Sequence, residues 1–276
     1  MVNDTFSAKR FGKYFKYDLK QLWHNNGKAA IAIGFISVIC YLVWCTFSLL
    51  ISGVWQAPGI PARCAFFFLG SLILVLYQTR TYGYLTEKKA GQSWLMLPAS
   101  TLEKFVSMMI ITVIVIPLAY VVSYLALDSL IGLLDKTSGG PLLAGYGTLM
   151  DSLNSFFSAA SEEGFQFNIM AFAVPAVAQF ILNMLYFLLC GLCFKKWKIL
   201  GGLGIMLAVE AVVTPVLSTL VSKYWTPALS AYDYQGDPAV VNDILHQVAL
   251  YANVVNYALV IIIAVAIYFR LKTIKH

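Results

Sequence analysis

Six stretches of about 20 mostly apolar residues constrain the fold of this 276-residue chain more than any other feature. A transmembrane helix needs about 20 such residues to cross a hydrocarbon core about 30 Å thick. The composition agrees, because 60% of the residues are hydrophobic and only 12% are charged, against about 25% charged in an ordinary soluble domain. We therefore predict an all-α polytopic membrane protein in which residues 1–276 form a single transmembrane domain. The predicted spans are 29–51, 65–83, 105–127, 167–194, 199–222 and 248–270.

The basic residues are unevenly distributed between the two sides of these spans. All but three of the 19 Lys and Arg residues fall on the side that holds both chain termini, the exceptions being Arg63, Lys136 and Lys223. Short cytoplasmic segments are enriched in Lys and Arg, so both termini are predicted to be cytoplasmic. The net charge of +6 is then explained by membrane orientation and by anionic lipid. No nucleic-acid partner is predicted.

Residues 8–25 form an amphipathic pattern ahead of the first span. Phe11, Phe15, Leu19 and Leu22 repeat at helical spacing, and another face carries Lys9, Lys13, Lys16 and Lys20. A basic helix with an aromatic stripe is typical of an interfacial helix that lies flat on a membrane. Two interpretations stay open: a simple anchor, or a connecting helix that also touches a cytoplasmic partner.

The cytoplasmic segment 84–104 has an apolar centre that is too short to span a membrane. It contains Trp94, Leu95, Met96 and Leu97, followed by Pro98, which disfavours helix at the residue before it. Ser100 and Glu103 match an S-x-x-E capping box that starts the third span. We predict an apolar knob on a charged face, covered by headgroups, by the protein's own bundle or by another protein. A docking surface joined stiffly to a helix is suited to coupling, and the predicted coupling residues are Trp94, Leu95, Leu97, Pro98, Ser100 and Glu103.

The sequence offers little for enzymatic chemistry. It contains no G-x-x-x-x-G-K-[ST] phosphate loop and no H-E-x-x-H zinc motif. The three histidines, His24, His246 and His276, are too far apart to predict a metal site by spacing. We therefore expect no catalytic residues, no metal and no cofactor in this chain.

Glu210 is an ionisable residue whose position inside a predicted span is unfavourable in free energy. It lies near the middle of the fifth span, where a charge costs about 3 kcal/mol or more. One interpretation is that Glu210 lines a substrate or proton path, with Gln179 and Asn183 of the fourth span as further pathway residues. The other is a protonated or hydrogen-bonded structural carboxyl near the same two side chains.

The segment Trp94–Phe105, WLMLPASTLEKF, resembles the LPxSxxE element of permease subunits in the type-two ABC exporter family, in the form found in Bacteroides-type bacteria. The resemblance extends to the connecting helix and to six spans with both termini inside. It implies a multi-pass protein of the bacterial inner membrane that pairs as a homodimer, or as a pseudo-dimer with a related permease. It also implies a separate ATP-binding subunit that docks under residues 84–104 and hydrolyses ATP. The family usually has a re-entrant hairpin between spans five and six, for which residues 223–247 have room.

Three functional hypotheses follow from the sequence. The first is the permease subunit of an ATP-driven exporter, coupled through residues 84–104. The second is a membrane scaffold or sensor that does not transport. The third is a proton-coupled secondary transporter that uses Glu210.

Overall fold

A computed structural model describes residues 6–87, 91–92, 94, 96–144, 169–224 and 238–273. Every regular element within these ranges is a helix, so the predicted all-α class is confirmed for them. Within the described residues, four helices are long and apolar enough to cross a membrane: Ile60–Thr86, Thr101–Leu134, Val174–Cys193 and Asn253–Thr273. A fifth span results if the bent pair Ala8–Gly34 and Ile36–Ser52 is counted as one.

We number the helices in chain order. They are α1 (Ala8–Gly34), α2 (Ile36–Ser52), α3 (Ile60–Thr81), α4 (Thr101–Leu134), α5 (Ile169–Cys193), α6 (Lys198–Tyr224) and α7 (Pro238–Thr273). A 3₁₀ turn at Gly83–Thr86 follows α3, and another at Lys136–Ser138 follows α4.

Helix α1 differs from the sequence prediction, which ended an interfacial helix at residue 25 and began a span at residue 29. The helix continues without a break to Gly34 and bends by 40° into α2 at Phe35. Asn26, in the expected linker, is held against α3: its carbonyl accepts a hydrogen bond from the Tyr77 hydroxyl at 3.1 Å, and its side chain donates to the carbonyl of Thr81 at 3.4 Å. Contacts with α3 therefore support helical backbone where the local sequence suggested an interruption.

Helix α4 begins with the predicted capping box. The Ser100 side chain accepts a hydrogen bond from the amide of Glu103, and the Glu103 carboxylate accepts one from the amide of Ser100. A π turn at Ile111–Val115 follows, in which the amide of Ile116 donates to the carbonyl of Ile111. Pro117 is the second residue after this turn and has no N–H to donate, which accounts for the altered hydrogen bonding in the turn. The helix is longer at both ends than the predicted span 105–127.

Helix α5 is the central element and packs against α3 and α7. Its contact with α3 is close, because a Cβ on Gly191 would lie 2.5 Å from the carbonyl oxygen of Thr79. Helix α7 begins at Pro238, so residues 238–247, predicted to belong to an outer loop, are helical. Most of the predicted outer loop 128–166 and residues 225–237 lie outside the described residues.

Candidate functional site

The richest cluster of buried polar side chains in the described part of the chain lies where α1, the end of α3, the 84–104 segment and the start of α4 meet. We call this cluster the junction. Its members share contacts across long sequence separations: Arg10, Tyr14, Asp18, Tyr82, Trp94, Ser100, Glu103, Lys104 and Ser107.

Glu103 ties the start of α4 to the start of α1. Its carboxylate pairs with the Arg10 guanidinium at 2.8 Å and accepts a hydrogen bond from the amide of Ser7 at 2.9 Å. The same carboxylate closes the capping box with Ser100 at 3.0 Å. Glu103 is fully buried, whereas the Arg10 side chain is 29% exposed. One carboxylate therefore caps a helix and also anchors a second one.

Asp18 is the second buried carboxyl of the junction. It accepts hydrogen bonds from the Tyr82 hydroxyl at 2.9 Å and from the Ser107 hydroxyl at 2.6 Å. These donors come from the residue after α3 and from α4, so Asp18 joins three helices. The donors to its oxygen are hydroxyl groups and not a cation. The contact therefore consists of hydrogen bonds, which require close approach of the two groups.

Trp94, the first residue of the predicted apolar knob, is buried. Its indole N–H donates to the Tyr14 hydroxyl at 3.0 Å, and its carbonyl accepts from the Lys104 ammonium at 2.9 Å. That ammonium also lies 4.5 Å from the centroid of the indole ring. The protein's own helices α1 and α4 therefore provide the cover that the sequence left open.

Of the remaining predicted coupling residues, some are buried and others lie at the surface. Ser100 and Glu103 are buried, Leu97 is half-buried, and Pro98 is exposed. Met96 beside them is 85% exposed, and Leu95 lies outside the described residues. On α1, the predicted basic face is open to solvent at Lys13, Lys16 and Lys20, and Phe15 is half-buried.

The predicted pathway residues are not assembled into one site. Gln179 donates to Asn183 at 3.4 Å, a contact within α5. Glu210 lies on an exposed face of α6. A pathway that includes Glu210 would need a surface contributed by something other than the described helices.

A second polar cluster, which we call the far cap, lies at the opposite ends of α3 and α4. The buried guanidinium of Arg63 pairs with Asp128 at 3.1 Å and donates to the carbonyl of Gly140 at 2.9 Å. Asp135 accepts hydrogen bonds from the Thr137 hydroxyl at 2.6 Å, from the Tyr41 hydroxyl and from the Trp55 indole at 3.2 Å. These bonds, led by that from Thr137, lower the pKa of Asp135 well below its usual range.

No group of three or more His, Cys, Asp or Glu residues suited to a metal ion occurs among the described residues. Comparison with protein-family models, with curated proteins and with solved structures finds no significant match to this chain.

Sequence reasoning missed most of the junction. The amphipathic pattern of residues 8–25 gave Arg10 and Asp18 no role, and no adjacent residue marked them as partners of α4. A weak signal was present in the four-residue spacing that places Arg10, Tyr14 and Asp18 on one face of α1. Two charged residues and a tyrosine on one face of an amphipathic helix favour contact with another polar surface.

Proposed function

We propose that this chain is the permease subunit of an ATP-driven exporter in the bacterial inner membrane. In this proposal it has six spans with both termini in the cytoplasm, pairs as a dimer and is driven by a separate ATP-binding subunit. This subunit docks on the exposed, cytoplasmic surface of residues 84–104. The observation that carries the proposal is the hydrogen-bonded connection from this segment into α1 and α4.

The connection is suited to transmitting a displacement. Trp94 is bonded to Tyr14 of α1 and to Lys104 of α4, while Glu103 is bonded to Arg10. Buried groups joined by several hydrogen bonds move together, because separating them leaves polar atoms unsatisfied. A partner that pushes on the segment would therefore shift α1 and α4 together and would not deform a loose linker.

The surface offered to the partner is centred on Met96 and Pro98. Met96 is a large apolar side chain at 85% exposure, and a flexible thioether adapts well to a partner surface. The junction also anchors α1, whose exposed lysines Lys13, Lys16 and Lys20 carry positive charge. Docking and transmission are thus assigned to different residues: Met96 outside, and Trp94 with Glu103 inside.

We assign the second permease copy to the exposed side of α6. The side chains described there include Leu207, Val209, Glu210 and Val212, all exposed. A carboxyl in the hydrocarbon core is stabilised when protein covers it, and a second copy would provide that cover.

In the alternative, a proton-coupled transporter, Glu210→Gln would abolish uptake and no ATPase would accompany the purified chain.

Docking is tested with two equally exposed apolar residues. The tagged full chain is purified from its native membrane in mild detergent, and bound ATP-binding subunits are identified by mass spectrometry. Met96→Glu should lose the subunit, whereas Leu134→Glu, also at 85% exposure but at the other end of α4, should keep it. Equal recovery with both variants, or no ATP-binding subunit with the unmodified chain, would contradict the proposal.

Transmission is tested separately with Trp94→Phe. This substitution keeps an aromatic ring and removes the indole N–H that bonds to Tyr14. We expect normal recovery of the ATP-binding subunit but less substrate transported per ATP hydrolysed. If recovery of the ATP-binding subunit falls while the complex that remains transports as much substrate per ATP as the unmodified one, Trp94 contributes to docking and not to the coupling path.

A further inference from the structure

An apolar groove of about 680 Å³ lies between α1 and α4, with α3 at its back. We call it the α1–α4 groove. Helices α1 and α4 meet at both of its ends: Asp18 bonds to Ser107 at one end, and a Cβ on Gly34 would lie 3.3 Å from the Ser123 hydroxyl at the other. The same number of residues separates the two contact points on each helix. The groove is therefore a gap between two parallel helices that contact each other at both of its ends.

The walls of the groove are apolar even where they carry hydroxyl groups. The hydroxyls of Tyr77, Tyr120 and Ser123 donate to the carbonyls of Asn26, Phe67 and Tyr120, respectively. With their hydrogens engaged, these groups offer little to a polar solute. The other walls are formed by aliphatic and small side chains, among them Ala30, Ile31, Leu74, Ile116 and Ala119.

One end of the groove has a different chemistry. Lys16 and Lys20 line it there, with Trp23 beside them. Both ammonium groups are exposed, and no described residue forms an ion pair with either. An indole next to lysines is the arrangement that proteins place at the headgroup level of a bilayer.

The dimensions match one lipid leaflet. From Trp23 to Phe35 the groove follows α1 for about 18 Å, at a rise of about 1.5 Å per residue. One leaflet of a hydrocarbon core about 30 Å thick measures about 15 Å. A hydrocarbon chain starting at Trp23 would therefore end near the bend at Phe35.

We propose that the α1–α4 groove binds one anionic phospholipid, with an acyl chain against Ala30, Ile116 and Ala119 and its phosphate between Lys16 and Lys20. Charge complementarity selects this occupant, because unpaired ammonium groups at the mouth of an apolar groove match an anionic head on a hydrocarbon tail. A helix from a second copy would fill the apolar part but would leave both lysines without a partner. The inference goes beyond the proposed function and does not depend on it.

The test is native mass spectrometry of the delipidated full chain, to which dioleoylphosphatidylglycerol or dioleoylphosphatidylcholine is added. The unmodified chain should retain one phosphatidylglycerol in preference to phosphatidylcholine. Lys16→Gln with Lys20→Gln should weaken that binding about 25-fold, since each basic residue near anionic lipid contributes about fivefold. The matched control, Lys9→Gln with Lys13→Gln, removes the same charge from exposed positions of the same helix that do not line the groove. Equal losses with both pairs would overturn the proposal in favour of diffuse attraction.

A second variant tests the apolar part of the site. Ala30→Phe should fill the groove and abolish retention of the lipid, whereas Ala208→Phe, at an exposed position of α6, should not. Both variants should elute as the unmodified chain does in size-exclusion chromatography. If Ala30→Phe instead dissociates a dimer, or if Ala208→Phe abolishes lipid retention to the same degree, the groove is not a phospholipid site. These readouts need no ATP-binding subunit, so they can fail or succeed independently of the exporter assignment.

Discussion

The two ends of α3 and α4 both carry buried carboxylates, but the carboxylates are satisfied in different ways. In the far cap, Asp128 faces the buried guanidinium of Arg63, with both side chains 3% exposed. In the junction, Asp18 is held by two hydroxyl groups, and Glu103 is held by an arginine that is 29% exposed. The far cap is therefore held by a desolvated ion pair. The junction is held by hydroxyl hydrogen bonds and by an ion pair whose arginine is partly exposed.

The difference indicates which end is able to rearrange. Separating a desolvated ion pair strands two charges in a low-dielectric environment, which is strongly unfavourable. Separating the Arg10–Glu103 pair costs less, because the Arg10 side chain is 29% exposed and water can solvate its guanidinium. We expect the far cap to hold α3, α4 and the turn after α4 together while the junction shifts as one unit, as the proposed coupling role requires.

The largest expected effect is at the ion pair. Arg63→Met leaves the Asp128 carboxylate buried without its cation and should destabilise the protein by about 3–5 kcal/mol. The measurement is thermal unfolding in detergent, followed by intrinsic fluorescence. The double variant Arg63→Met with Asp128→Leu should recover most of the loss, because neither charge is then buried. If the double variant is as unstable as the single one, the pair does not act as the lock.

Two helical glycines, one at each end, give the next contrast. A Cβ on Gly132 would lie 2.5 Å from the backbone nitrogen of Pro141, whereas a Cβ on Gly12 of α1 meets nothing within 4 Å. Gly132→Ala should therefore force the turn of the far cap away from α4 at a cost of about 1–3 kcal/mol. Gly12→Ala should stabilise by up to about 1 kcal/mol through helix propensity. Thermal unfolding of both variants measures the difference, and equal shifts would contradict the tight packing of the far cap.

The sequence predicted the features that depend on neighbouring residues. Hydropathy alone indicated the apolar helices, and four consecutive residues were enough to predict the Ser100–Glu103 capping box. Pairings such as Asp18 with Tyr82 and Arg10 with Glu103 depend on how helices approach one another, which no local pattern encodes. Trp94 illustrates the limit: the sequence left open whether headgroups, the protein's own helices or a partner cover it, and the contacts with α1 and α4 answer that question. The continuation of α1 past residue 25 was missed for the same reason, since contacts with α3 stabilise it.

At Asp18 the expected effect is smaller and depends on the replacement. Asp18→Asn keeps an oxygen that accepts from Tyr82 and Ser107, so we expect a loss of about 1 kcal/mol or less. Asp18→Ala leaves two buried hydroxyls without an acceptor and should cost about 1–3 kcal/mol. At the other end, Asp128→Asn should behave like the loss of an ion pair and exceed both. A large effect of Asp18→Asn, equal to that of Asp128→Asn, would mean that the junction also depends on a fixed charge.

The smallest effect is expected in the acid stability of the far cap, through Asp135. Hydrogen bonds from Thr137, Tyr41 and Trp55 lower the pKa of this carboxyl below its unfolded value, which is about 3.9. A lowered pKa means that the native state binds the proton less readily than the unfolded state does. The stabilisation is therefore complete above the unfolded pKa and disappears as the pH falls towards the native pKa.

Asp135→Asn removes this dependence, so its unfolding temperature should fall less between neutral pH and about pH 3 than that of the unmodified chain. Asp135 is partly exposed, and solvent screening keeps the difference small. An unchanged pH dependence in Asp135→Asn would show that this carboxyl does not contribute to the acid stability of the far cap.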